Sequence, residues 1–299
     1  MMRQFFTTLQ QIAHSDSVGP ISGLYRHLQW QMRRFLNDFP CDLSLAESTL
    51  RVERPGGVAA LVNAMGAYDF NNMHFIRALL RKLRGAFIDV GANIGAYTLI
   101  ASEVQSAVVV SVEPHPRTFA SLTENVRLNH RYNVICVNAA LSARDGEAGL
   151  TDEAQPELNH ISEAPDSAAV RVPSRRFDNV CRVLQVNPDV VKIDVEGHQY
   201  EVLEGFGEYR EVAKVIVIED GDHADVRRWM EAAGYAGPFF VHFKRGYLSP
   251  ERQPRPEDPV YVSERFLPDL CSSRSSGAEM HFSEFLEGSS DATGVTEWQ

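Results

Sequence analysis

Asp89 stands near the end of an apolar run, Phe87-Ile88-Asp89-Val90, and is followed by Gly91-Ala92-Asn93-Ile94-Gly95-Ala96-Tyr97-Thr98. The stretch reads as a buried strand ending in a carboxylate, a tight glycine turn and the first turn of a helix. A junction of that kind presents free backbone N–H groups and the positive end of a helix dipole to a ligand. Gly91 and Gly95 lack Cβ atoms, so the backbone turns sharply and a ligand can lie directly against it. The spacing is Asp-x-Gly-x-Asn-x-Gly, without the Gly-x-Gly-x-x-Gly that seats a pyrophosphate on a helix N-terminus. An acid at the strand end suits a cationic amino group and suits a pyrophosphate poorly. The turn therefore reads as the nucleoside site of an S-adenosylmethionine enzyme in preference to an NAD site.

Two further acids follow strand-like runs. Glu113 closes Val108–Val112 and precedes Pro114, where a carboxylate can accept hydrogen bonds from both ribose hydroxyls of a nucleoside. Asp194 closes Val190-Val191-Lys192-Ile193, and Glu196 and His198 follow at alternating positions, so the three converge on one pocket if the chain stays extended. One reading of this trio is a general base for an acceptor hydroxyl, which is a poor nucleophile unaided. Another is a divalent metal site, for which spacing alone is a weak signal and which is not favoured. The third is a hydrogen-bonding turn.

The elements that must position these residues are legible as alternation. Strand-like runs at Ala86–Val90, Ala107–Val112, Asn133–Val137, Val190–Ile193 and Val212–Ile218 are separated by helical stretches, notably Pro116–Asn129 and Ala224–Ala233. Phe239–Phe243 and Val260–Val262 read as a closing antiparallel pair. Such alternation means an α/β fold, with a parallel sheet covered by helices on both faces. Before it, residues 1–85 read as a helical and small β lead-in. Leu24, Leu28, Met32 and Leu36 form a stripe expected to pack on the main domain or on a second subunit, and Arg26, Arg33 and Arg34 raise a membrane surface as the sharper alternative. After it, residues 266–299 read as a flexible tail, with Ser-Ser-Arg-Ser-Ser-Gly and Gly-Ser-Ser-Asp, in preference to the alternative that Phe282 and Phe285 form a short docking motif.

Together these stretches resemble the FkbM family of S-adenosylmethionine-dependent methyltransferases. The resemblance is carried by Phe87–Gly95, Val112-Glu113-Pro114-His115-Pro116, Asn125 to Asn129, Asn138-Ala139-Ala140-Leu141-Ser142, Lys192–Gly197 and Val202-Leu203-Glu204-Gly205. It implies a Rossmann-like fold with a seven-stranded, mostly parallel sheet and an antiparallel closing strand over residues 86–265. It further implies that Asp89, Gly91, Asn93 and Gly95 cradle the methionine and ribose parts of the donor. Glu113 would hold the ribose, Pro114, His115, Asn138 and Ala140 would border the adenine, and Asp194 would stand near the amino group or the acceptor. Gln199 replaces an acid common in the family, and Glu204 replaces a frequently basic residue. The expected reaction is O-methylation of a sugar-like or natural-product hydroxyl, or of a carboxylate, with Asp194, Glu196 and His198 as the catalytic candidates. An NAD-dependent oxidoreductase and a non-catalytic binding module that keeps the fold are the rivals.

The 299 residues carry a formal net charge of -11, which argues against non-specific nucleic-acid binding. The expected partner is a small-molecule or carbohydrate acceptor, with a homo-oligomer left open. No run is long enough to span a bilayer. Cys41, Cys136, Cys181 and Cys271 are scattered without a metal-binding spacing, which fits a reducing cytoplasm.

Overall fold

The computed structural model describes residues 12, 18–151, 160–161, 170–252, 257–271 and 279–286. The lead-in forms helix α1 (Pro20–Leu36), the hairpin β1 (Cys41–Leu45) and β2 (Ser48–Val52), and helices α2 (Gly57–Met65) and α3 (Phe70–Leu83). The alternation then runs β3 (Ala86–Val90), α4 (Ala96–Ser102), β4 (Val108–Val112), α5 (Pro116–Leu128) and β5 (Val134–Val137). Next come β6 (Ala140–Leu141), β7 (Gly146–Leu150), β8 (Val170–Arg175), α6 (Phe177–Leu184) and β9 (Pro188–Ile193). They are followed by α7 (Gln199–Glu204), β10 (Val215–Ile218), α8 (Ala224–Ala232), β11 (Tyr235–His242), β12 (Tyr247–Ser249) and β13 (Val260–Ser263). Helix α9 (Leu267–Leu270), β14 (Met280–His281) and helix α10 (Ser283–Leu286) close the described chain.

One sheet organises these elements, in the order β14-β12-β11-β13-β10-β9-β3-β4-β5. Strands β5, β4, β3, β9 and β10 are parallel to their neighbours. Strand β13 runs antiparallel to both β10 and β11, so β11 points the same way as the parallel set. The strands from β5 to β11 make the seven-stranded, mostly parallel sheet with its antiparallel closing strand. β12 and β14 extend it to nine beyond β11. Strands β6, β8 and β7 form a separate small sheet.

Strand residues divide between two cores with a period of two, as a sheet covered on both faces requires. Phe87, Val109, Val190, Val215 and Val217 face one core. Ile88, Val110, Val191, Ile216 and Ile218 face the other. The first core also takes Trp30, Leu43 and Phe75 from the lead-in.

Two expectations need correction. The Leu24, Leu28, Met32 and Leu36 stripe does not pack on the domain. All four side chains are exposed, and α1 instead buries Gly23, His27 and Trp30 on its opposite face. Trp30 and Gly23 suit close packing, whereas an apolar stripe says only that some partner is wanted. The tail is likewise part of the fold where it is described. β14 pairs with β12, and Phe282 is fully buried with its ring 4.9 Å from that of Phe75. Burying an aromatic ring outweighs the polar composition around it. The remainder of that tail, residues 272–278 and 287–299, lies outside the described residues.

Candidate active site

The sheet order reverses between β3 and β9. β4 and β5 step away on one side, and β10 follows β9 on the other. A ligand crevice is expected at the carboxyl ends of strands at that point. A cavity of about 220 Å³ lies there, and its wall includes Asp89, Gly91, Asn93, Glu113, Pro114, Ala140 and Asp194. Glu196 and His198 line it as well. Gly95, His115 and Asn138 do not reach the wall.

The glycine turn differs from its sequence reading in one respect that bears on chemistry. Its backbone donors are spent inside the chain. Gly91 and Ala92 N–H donate to the Val112 carbonyl at 2.9 and 3.0 Å, and Gly95 N–H to the Ala92 carbonyl at 2.9 Å. Asn93 N–H donates to Glu113 Oε2 at 2.9 Å, and Ile94 N–H to Asn93 Oδ1 at 2.8 Å. Nor does the missing Cβ of Gly91 make room for a ligand. A Cβ there would lie 1.7 Å from the Asp194 carbonyl oxygen, and one at Gly95 would lie 2.8 Å from Leu122 Cδ1. Both glycines adopt positive φ (79° and 96°), so the turn is shaped by its own strand neighbours and by α5.

What the turn offers instead is acceptors. Asp89 is 2% exposed and takes the Thr98 hydroxyl at 2.6 Å, and burial pushes its carboxyl up to about 6. Glu113 takes the N–H groups of Asn93 and His115, both at 2.9 Å, leaving each oxygen a second lone pair. Its burial raises it to about 7. Asn138, which stands off the wall, donates to the Glu113 and Pro114 carbonyls at 2.8 and 2.9 Å and so fixes the loop carrying Glu113.

On the β9 side, Lys192 is fully buried, with Nζ 3.2 Å from Asp194 and 2.9 Å from Asp258. Its ammonium also lies 5.4 Å from the centre of the Tyr97 ring. Burial pulls its pKa down, but the two carboxylates outweigh that and hold it raised and charged. The chain does not stay extended after Asp194, because Glu196 and Gly197 take positive φ. His198 accordingly turns to Ser142, its Nε2 3.0 Å from the hydroxyl, and burial lowers its pKa. The third member of the acidic group is Glu219, at the carboxyl end of β10. The carboxylates of Asp194, Glu196 and Glu219 lie within 4.8 Å of one another. Burial, then the charge of Asp194, raises Glu219 to about 9, so at neutral pH it carries the proton that relieves this crowding. Sequence reasoning passed over Glu219; the signal was its place directly after the apolar run Val212–Ile218.

The lead-in reaches the site through Val58 and Tyr68, and the loop before β8 through His160 and Ile161. Residues 152–159 and 162–169 lie outside the described residues. Gln199 is buried away from the cavity wall, and its Nε2 finds no partner among the described residues.

Residues 89–236 match the model of the methyltransferase FkbM domain. The chain is 32% identical over 133 residues to hexuronic acid methyltransferase AglP of Haloferax volcanii, a match covering 44% of this chain and 54% of that relative. It is 26% identical over 179 residues to methyltransferase 1 of Beauveria bassiana, covering 50% of this chain and 71% of the relative. The chain thus spans about half the length of the first of these relatives. Among solved structures, M. jannaschii TYW2 in complex with AdoMet superposes with a TM-score of 0.41 at 16% identity, covering 74% of this chain and 83% of that one.

Proposed function

Residues 89–236 place this chain in the FkbM methyltransferase family, and from that premise we propose that it transfers a methyl group from S-adenosylmethionine to an oxygen of a sugar-like or natural-product acceptor. The observation that carries the reading is the polarity of the cavity wall. The turn's N–H groups are consumed, while Asp89, Glu113, Asp194 and Glu196 supply acceptors, and the protonated Glu219 eases the crowding of Asp194 and Glu196. Such a wall suits a ligand that brings an ammonium, a sulfonium and ribose hydroxyls. It suits the pyrophosphate of NAD poorly.

The bound donor supplies a methyl group already made electrophilic by its sulfonium, so the protein's main task is placement of the nucleophile. In this reading Glu113 accepts from the ribose hydroxyls, and Asp194, ion-paired with Lys192 at 3.2 Å, faces the amino group or the acceptor. Asp89, Gly91, Asn93 and Gly95 form the turn beneath the donor, while Pro114 and Ala140 border the adenine, with His115 and Asn138 behind them. Glu196 and His198 stand where they can take the proton of an acceptor hydroxyl, and an acceptor carboxylate would need neither. The relative from Haloferax volcanii, named for a hexuronic acid, supports a sugar-like acceptor. The acidic wall of this site favours a neutral or cationic sugar over an anionic one. The four cysteines are unpaired, which supports the reading of a reducing, cytoplasmic setting.

Calorimetric titration with S-adenosylhomocysteine, with NAD as control, tests the donor. Tight binding of the first alone is expected, and Glu113→Ala should weaken it about tenfold or more while the circular dichroism spectrum is unchanged. Binding of NAD instead, or unchanged affinity in the variant, would sink the ribose role. Binding without turnover on any sugar acceptor would favour a module that keeps the fold without the reaction.

A further inference from the structure

Helix α1 presents two different faces. One holds it to the molecule: Trp30 is buried and meets Phe39 edge-on at 5.5 Å, Gly23 packs closely on Ile12, and Asn63 Nδ2 donates to the Arg26 carbonyl at 2.8 Å. The other face bears Leu24, Leu28, Met32 and Leu36, joined by Ile21 and Phe35, all between 42% and 85% exposed. Tyr25 is exposed on the same side. At 100° per residue these side chains fall within an arc of about 120°, the width of a complete apolar face. A helix whose inner face is already packed gains nothing for the fold from a second apolar face.

We propose that α1 seats the protein on a membrane surface that carries anionic lipids. Charge selects this occupant. The helix contains Arg26, Arg33 and Arg34 and no acidic residue, in a chain whose formal net charge is -11. Arg26 and Arg33 lie on one flank of the apolar arc, roughly 60–80° beyond its edge, where their stems can run along the apolar surface and place the guanidinium groups among lipid phosphates. Arg33 is partly exposed and pairs with the exposed Asp38 at 3.7 Å, a contact it would exchange for a lipid phosphate. An amphipathic helix of this type lies in the interface plane with its apolar side in the acyl boundary, and the arginines add attraction to anionic headgroups. A second copy of the protein pairing through α1 about a two-fold axis would set arginines against arginines and meet no acid on the facing helix. With three arginines the helix is too polar to span, and among the described residues no helix is long and apolar enough to cross a bilayer. The association is with the surface.

The inference is independent of the methyl-transfer reading, and its test needs no substrate. Full-length protein is sedimented with vesicles of phosphatidylcholine alone and of phosphatidylcholine mixed with phosphatidylglycerol, at low and high salt. Binding to the mixed vesicles that weakens with salt is expected. The exposed double variant Leu28→Glu/Phe35→Glu should bind them roughly tenfold or more weakly, with an unchanged thermal midpoint and unchanged S-adenosylhomocysteine affinity. Arg26→Gln/Arg33→Gln should lose the preference for anionic vesicles while keeping the apolar face. Absence of wild-type binding to the mixed vesicles would overturn the proposal, as would undiminished binding by the glutamate variant. Equal binding to neutral vesicles would overturn the anionic assignment. Light scattering is run alongside: a wild-type dimer that the glutamate variant converts to a monomer, without vesicle binding by either, would make the face a subunit interface instead.

Discussion

Two buried carboxyl groups govern how the candidate site responds to pH. Asp89 is raised to about 6 and Glu113 to about 7, in both cases chiefly because burial disfavours the charged form. In the unfolded chain both titrate near about 4. From about pH 4 up to about pH 7 the folded, unliganded protein therefore holds protons that the unfolded chain has released. Its stability falls as pH rises through that window, because the unfolded state binds fewer protons. The same ionisation makes the cavity more negative, so a cationic ligand binds more tightly as pH rises. S-adenosylmethionine, with a sulfonium and an ammonium, should gain affinity between about pH 5.5 and 7.5, by up to about tenfold for each group that ionises. S-adenosylhomocysteine lacks the sulfonium charge and should gain less. Calorimetric titrations of both ligands across that range check the point; parallel or flat profiles would refute it. Glu113→Gln should remove the upper part of the dependence and leave the part that belongs to Asp89.

At the scale of elements, the hairpin β1–β2 is tied to helix α5 by two side-chain amides. Asn125 on α5 accepts from Arg51 N–H at 2.7 Å and donates to the carbonyls of Arg51 and Ile94 at 3.0 and 2.9 Å. One turn later Asn129 accepts from Thr49 N–H and donates to the Thr49 carbonyl, both at 2.7 Å. The amides supply what a neighbouring strand would supply to the free edge of β2, and Asn125 ties that edge to the loop after the glycine turn. Asn125 is fully buried, so Asn125→Ala strands one backbone donor and two acceptors at a cost of about 3 kcal/mol. Chemical denaturation should show a lower midpoint with an unchanged slope, and a loss well under about 1 kcal/mol would mean that water replaces the amide. The sequence displayed Asn125 and Asn129 as part of a family-like pattern but not their task, because the groups on β2 and the glycine turn that they satisfy lie 31 to 80 residues away. Strands such as Phe87–Val90 were legible for the opposite reason, since a short apolar run bounded by a glycine turn is a local signal. The apolar stripe of α1 was visible and its direction was not: periodicity reports a face and says nothing of the neighbour. Glu219 carried no motif, only a position after a strand, and Phe282 stood out as a docking candidate whose signal the serine-rich text around it outweighed.

At the scale of the whole molecule, the division into a lead-in of residues 1–85 and a sheet domain from residue 86 makes a thermodynamic claim that the packing opposes. Trp30, Leu43 and Phe75 lie in the same core as Val109, Val217, Val262 and Phe282, so that core is assembled from both parts of the chain. Among the described residues, the lead-in's separate cluster is only Ile12, Ala64 and Met65 with two partly buried neighbours. The site crosses the same boundary: Tyr97 of α4 donates to Asp69, which caps α3, and Tyr68 lines the cavity. A lead-in without a core of its own cannot pay for its chain entropy alone. The protein should therefore unfold in one transition, with a calorimetric to van't Hoff enthalpy ratio of about one. S-adenosylhomocysteine should move that whole transition upward, since a ligand bound only by the folded state stabilises everything that unfolds with its site. Two resolved transitions, only one of them shifted by the ligand, would establish the lead-in as a separate folding unit and confine the site to the sheet.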